Sequence, residues 1–273
     1  FGGGADATRI ENPISSEMTH LRPDLLPGLL QAAARNQARG FADLALFEVG
    51  PAFSGGEPGD QALQAAGLLV GSSAPREPFG SRRPVDLYDA KADAEAVLAA
   101  IGAPARVQIT RKVAGWYHPG RSGTLRLGPT VLGWFGEVHP AILESLKVKG
   151  PVVAFEVFLD KVPAPKKKGG TARPLLTLSA FQPVERDFAF VVDRGVEADR
   201  IVRAVKGADK ALITGVGVFD IYDGAGVGEG RKSVGVTVTL QPTAATLTEP
   251  EIDAIGQKIV AAVVKATGGS LRA

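Results

Sequence analysis

The sequence predicts an α+β chain of two modules: a largely antiparallel sheet module over residues 1–165, then a smaller βαββαβ module over 172–273. Three observations lead there. With 273 residues, 45% of them hydrophobic and 22% charged, the chain is long enough for two cores and too apolar for a disordered polyelectrolyte. In the first part, short strand-like runs outnumber helical ones, which favours antiparallel pairing over a doubly wound parallel sheet. Between the parts, Val162-Pro-Ala-Pro-Lys-Lys-Lys-Gly-Gly-Thr171 cannot sustain a hydrogen-bond ladder and buries almost nothing. Its lysine run reads either as a solvated, self-repelling hinge or as a phosphate contact.

Each element has a local reason. Leu25 to Arg39 is predicted helical, with Leu26, Leu29, Leu30 and Ala33 on one face, Pro27 in the first turn and Gly40 as the stop. Leu44 to Val49 and Ala66 to Gly71 are apolar runs expected to be strands buried on both faces. Asp89 to Ile101 is an alanine-rich helix ended by Gly102 and Pro104. Thr124 to Leu127 and Val131 to Val138 flank Gly128-Pro129 as a hairpin, and Val152 to Leu159 is a further strand.

In the second module, Asp187 to Val192 reads as a strand, and Glu197 to Lys206 as a helix with Ile201, Val202 and Val205 inward. Leu212 to Tyr222 and Arg231 to Gln241 are strands joined by the glycine-rich loop 223–230. Thr248-Glu249-Pro250-Glu251 is a capping box, and the helix it opens carries Ile252, Ile255, Ile259 and Val263 inward. Gly268-Gly269 ends that helix, and Ser270 to Arg272 adds a last strand. The order βαββαβ is the ferredoxin-like arrangement.

Alternation along these strands separates an apolar face from a small, polar one. Phe188, Phe190 and Val192 share a face, as do Val234, Val236, Val238 and Leu240; Ser233, Gly235, Thr237 and Thr239 take the other. Phe219 and Ile221 are expected opposite Val218, Asp220 and Tyr222. The helices must cover the apolar face. The face left over, with Tyr222 and Arg272 at its margins, fits unstacked RNA bases, and fits equally an ordinary solvent-exposed or domain-packed surface.

Several chemistries are excluded. Without cysteine there is no disulfide, thiolate zinc site or thiol nucleophile. No apolar run is long enough to span a membrane and no signal-peptide pattern opens the chain, so a cytoplasmic location is expected. The start Phe1-Gly2-Gly3-Gly4, with Met18 the only methionine, reads as a piece of a longer polypeptide. A net charge of +2 is weaker than a dedicated DNA-binding domain shows, so no DNA partner is expected. No P-loop is present, and Gly224-Ala-Gly-Val-Gly228 precedes a strand where a dinucleotide site needs a helix. His118 and His139, each before a proline, read as turn residues or as an acid–base pair; with no nucleophile or metal-ligand spacing nearby, no catalytic or metal-binding residue is assigned.

The motifs resemble, in order and over nearly the whole chain, the C-terminal part of the bacterial phenylalanine–tRNA ligase β-subunit family. They are Asn12-Pro13-Ile14-Ser15-Ser16-Glu17, Leu21-Arg22-Pro23-Asp24-Leu25-Leu26-Pro27-Gly28-Leu29-Leu30, Phe47-Glu48-Val49-Gly50, His118-Pro119-Gly120-Arg121-Ser122 and Gly133-Trp134-Phe135-Gly136-Glu137-Val138-His139-Pro140. In the second module they are Pro183-Val184-Glu185-Arg186-Asp187, Phe219-Asp220-Ile221-Tyr222-Asp223-Gly224, Lys232-Ser233, Thr246-Leu247-Thr248 and Leu271-Arg272. Two departures stand out: Ala245 replaces a common arginine, and Ser233-Val234-Gly235 replaces Ser-Leu-Ala.

The resemblance implies a catalytic-like module with the antiparallel core of class II synthetases over 1–165, N-terminally incomplete and inactive itself, followed by a ferredoxin-fold anticodon-binding domain over 172–273. It further implies a catalytic α subunit as partner in an α2β2 enzyme. That enzyme joins phenylalanine to its tRNA with ATP and magnesium, no cofactor being held by this segment. The family's magnesium ligands and editing site lie upstream. On the sheet, the resemblance puts Tyr222 forward as a stacking group and Ser233 as a hydrogen-bond donor to tRNA, with Arg186, Lys232 and Arg272 neutralising phosphates. Arg186 has the alternative of pairing with Asp187. A subunit whose second module contacts protein instead of RNA is the rival expectation.

Overall fold

The computed structural model describes residues 1, 4–16, 18–104, 106–164, 175 and 178–272; the linker predicted at 162–171 falls outside them from residue 165 onward. The chain divides into two units, Phe1–Lys168 and Gly169–Ala273. In the first, α1 (Leu26–Ala38), β1 (Leu44–Phe53), β2 (Gln61–Val70), α2 (Leu87–Ala100), β3 (Gln108–Thr110), β4 (Tyr117–Leu127), β5 (Thr130–Val138), α3 (Pro140–Ser145) and β6 (Val152–Phe158) follow in sequence. The six strands form one sheet in the order β1-β2-β6-β5-β4-β3, and every neighbouring pair is antiparallel.

Strand β6 shows why this sheet is buried on two sides. Its even residues Val152 and Ala154 pack with Leu26, Leu29, Leu30 and Ala33 of α1. Its odd residues Val153, Phe155 and Val157 pack with Ala90, Ala94 and Leu98 of α2. Each valine, leucine or phenylalanine among these, taken from water, contributes about 1.5–3 kcal/mol. Helix α2 begins at Leu87, two residues before the expected start, because Asp86 caps it by accepting from the Tyr88 N–H while Asp89 reciprocates.

Strand β1 departs from expectation. It is the sheet edge, and Phe47 on it is 80% exposed, as is much of Val49. Its apolar run is therefore not buried on both faces, since α2 lies over β5 and β6. Two elements were not anticipated: β3 spans three residues, and the six-residue α3 is set by His139 as cap and Pro140 at its first position. Among the described residues, no helix is long and apolar enough to cross a membrane.

The second unit runs β7 (Val184–Asp193), α4 (Ala198–Ala208), β8 (Ile213–Tyr222), β9 (Arg231–Leu240), α5 (Glu249–Thr267) and β10 (Ser270–Leu271). The strand order β10-β7-β9-β8, with β9 inserted between β7 and β8, is the ferredoxin-like topology read from the sequence. Phe190, Val192, Val234, Val236, Val238 and Leu240 meet Ile201 and Val205 of α4 and Ile255, Ile259 and Val263 of α5. The Thr248–Glu251 capping box forms, with the Thr248 N–H donating to Glu251 at 2.8 Å. Those hydrogen bonds hold the Glu251 carboxyl below its ordinary value. Gly268 takes the left-handed conformation (φ 69°) that ends α5 and turns the chain into β10.

Candidate RNA-binding face

The face of the second sheet turned away from α4 and α5 carries the odd-numbered residues of β7 and β9. Ser233 lies in register between Val191 on β7 and Tyr222 on β8. Tyr222 ends β8 with its hydroxyl donating to the Ala225 carbonyl at 3.1 Å. Gly224 leaves room for the Tyr222 ring in this position, since a Cβ there would lie 2.5 Å from the Tyr222 oxygen. Arg272 extends β10, its N–H donating to the Ala189 carbonyl at 2.7 Å. Its guanidinium carbon sits 5.4 Å from the Tyr222 ring centroid, a cation–π contact. Strands β10 and β8 are three strand spacings apart, roughly 14 Å, so the two side chains bridge the sheet between them. That bridge accounts for Ser233 being only 3% exposed while Tyr222 remains 39% exposed.

The other two expected contacts lie elsewhere. Lys232 is in register with Val192 and shares the parity of Val234, so it points to the helix-covered side and is 8% exposed. Arg186 has the parity of Phe188 and Phe190. It pairs with Glu249 in the first turn of α5 at 3.5 Å, and not with Asp187, which accepts from the Thr237 hydroxyl at 2.6 Å. Tyr222, Ser233 and Arg272 thus converge on the open face, and Arg186 and Lys232 do not.

Strict alternation missed one residue. A β-bulge between Val218 and Asp220 leaves Val218 in register with Val236 on the covered side and Asp220 with Gly235 on the open side. The extra residue, Phe219, is turned to the open face, contrary to the expected alternation. Its ring tip lies over Gly235, and the side chain is 59% exposed. Glycine in the middle of β9 was the available signal, since strand glycines mark close approach.

In the first unit two histidines and a buried glutamate make contacts within the fold. The His118 ring accepts from the Gly120 N–H at 3.1 Å and the His139 ring from the Ala141 N–H at 3.2 Å, so both act as turn and cap residues. Glu156 is fully buried on β6 and accepts from Trp116 Nε1 at 2.9 Å and from the Tyr117 hydroxyl at 2.8 Å. Burial, and then the neighbouring Asp24 carboxylate, raise the Glu156 carboxyl well above its ordinary value, outweighing the two donors. The other Glu156 oxygen, Oε2, is buried with no hydrogen-bond partner among the described residues, and Asp24 accepts from the Leu26 N–H at 3.0 Å where α1 begins. Among the described residues, no three acidic or histidine side chains converge to hold a metal ion.

Comparison with known proteins agrees with this division. Residues 2–159 match the family described as phenylalanyl tRNA synthetase beta chain CLM domain, and residues 179–272 the ferredoxin-fold anticodon binding domain. Phenylalanine–tRNA ligase beta subunits are similar over the whole chain: 67% identical in Cereibacter sphaeroides, 64% in Ruegeria pomeroyi and 57% in Rhodospirillum rubrum. The chain spans about a third of those relatives (34% of each). With both family matches in the order the motifs predicted, the chain belongs to the phenylalanyl-tRNA synthetase beta chain family.

Proposed function

We propose that this chain captures tRNA and makes no bond itself: the open face of the second unit holds the anticodon loop of phenylalanine tRNA. The first unit packs on the catalytic α subunit of a cytoplasmic α2β2 enzyme. The observation that carries the reading is the convergence of Tyr222, Ser233 and Arg272 on a sheet face that α4 and α5 leave open. An incoming base stacks on Tyr222 as Arg272 moves from the ring to a phosphate, which uncovers the Ser233 hydroxyl as a donor to a base edge. ATP and magnesium belong to the whole enzyme. The described residues offer no cluster of three acidic or histidine side chains to hold the ion.

Binding of an anticodon stem-loop to the 273-residue chain, against the same stem with a scrambled loop, tests the proposal. Preference for the native loop, lost in Tyr222→Ala, supports it. Equal binding of both loops, or parental binding by Tyr222→Ala, refutes it. The rival, a sheet face that contacts protein, draws on the acids Glu185 and Asp187 of that face, which disfavour phosphates. It predicts co-purification of the α subunit with no RNA shift.

A further inference from the structure

We infer that Phe219 is a second stacking platform, so that the open face seats two successive unstacked nucleotides of a single-stranded RNA loop; this rests on reading that face as the RNA-binding one. The bulge places Phe219 and Asp220 opposite Gly235, and the ring leans from β8 across β9. A Cβ on residue 235 would meet the ring atoms Cζ, Cε2 and Cε1 at 2.8, 3.0 and 3.2 Å, so glycine is what allows the ring to lie there. The side chain nonetheless stays largely in water.

Tyr222 differs in being already engaged. Arg272 lies over its ring and its hydroxyl is bonded to Ala225. Among the described residues cations lie over Phe158 and Tyr222, and none over Phe219. On the open face the available aromatic surface is therefore that of Phe219, and Tyr222 joins it when Arg272 moves.

Spacing supports two bases. The rings flank Gly235 and Ser233, two residues apart on β9, or roughly 6.8 Å. That is about twice the 3.4 Å rise per nucleotide of a stacked strand. Neighbouring bases on the two rings would be splayed apart, as single-stranded RNA is when aromatic groups on a four-stranded sheet read it. Stacking tolerates every base because each has a π-face. Phe219 accordingly adds affinity without choosing a base.

Fluorescence anisotropy of an anticodon stem-loop with the 273-residue chain tests the inference. Phe219→Leu keeps an apolar group beside Gly235 and removes the aromatic face; binding is expected to weaken about 5- to 150-fold, the range of one lost base stack. Phe219→Tyr should stay near the parent. Gly235→Ala, which displaces the ring without altering it, should weaken binding in the same direction. A blunt duplex without a loop should respond to none of them. Parental affinity in Phe219→Leu, with Tyr222→Ala weakened, overturns the role of Phe219 and leaves the open face standing. Parental affinity in both variants removes the face as the RNA site. Equal losses for loop and duplex assign Phe219 to packing alone and overturn the stacking role.

Discussion

Replacing Glu156 by glutamine should free the stability of the first unit from a pH dependence that the native side chain imposes. Burial, and then the Asp24 carboxylate, raise the Glu156 carboxyl well above its ordinary value of 4.5, so the folded chain holds its proton to higher pH than the unfolded chain does. Unfolding releases that proton once the pH exceeds the unfolded value. A raised folded value means the group's stabilisation is complete below about pH 4.5 and declines as pH rises toward the folded value. Within that window each pH unit removes about 1.4 kcal/mol. Glutamine keeps the acceptor for Trp116 and Tyr117 and carries no titrating proton, so at pH 5 the two proteins should lie within about 1 kcal/mol. Above pH 5 the glutamine variant should gain on its parent at up to that slope. Asp89, held low chiefly by its hydrogen bond to Arg83, loses stabilisation as pH falls, but it is common to both proteins and cancels in the difference. Both tryptophans, Trp116 and Trp134, lie in the first unit, 5.5 Å apart, so urea unfolding followed by tryptophan fluorescence reports on this unit. Parallel stability curves for parent and Glu156→Gln between pH 5 and pH 8 would refute the reasoning.

Other substitutions probe both units. Tyr222→Ala should weaken stem-loop binding by about 1–3 kcal/mol, with far-UV circular dichroism unchanged. Arg272→Ala should flatten the salt dependence of RNA binding by about one phosphate contact, whereas Lys232→Ala should leave the slope as in the parent; titrations at several salt concentrations separate them. Gly133→Ala should destabilise the first unit by about 1–3 kcal/mol in denaturant melts, since the new Cβ would lie 2.2 Å from the Glu156 carbonyl oxygen on the neighbouring strand.

Much of the fold was legible because its causes are local. The Thr248–Glu251 box, the 3-4-4 spacing of Ile252, Ile255, Ile259 and Val263, and the glycine stop at 268 each act within a turn or two of chain. The position of a strand within its sheet is not local. Nothing between Leu44 and Val49 says that β1 is an edge, so the exposure of Phe47 could not be read. The site divides in the same way. Parity puts Lys232 with Val234 and Arg186 with Phe188 on the covered side, and only their residue type favours them as phosphate contacts. Phe219 was hidden because one extra residue at a bulge undoes alternation, and a bulge leaves little trace in sequence besides a facing glycine. The Arg272–Tyr222 bridge spans three strand spacings and fifty residues of sequence, which no periodicity encodes.

The modest charge of this chain then becomes a statement about how it would hold RNA. On the open face, Glu185 and Asp187 oppose phosphates near Thr239 and Thr237 and Asp220 opposes them beside Gly235, which leaves the bases to Tyr222 and Phe219 and phosphate contact to the end bearing Arg272. Two further arginines near that end, Arg194 and Arg231, are paired with Asp223 and Asp193. If Arg272 supplies a single phosphate contact, a fourfold rise in salt lowers the binding constant by only about 2.6-fold for single-stranded RNA. Two aromatic stacks contribute about 2–6 kcal/mol between them, largely independent of salt. A face built this way favours loops whose bases are free to splay over duplexes of equal charge. That preference needs no more net positive charge than the +2 the sequence carries.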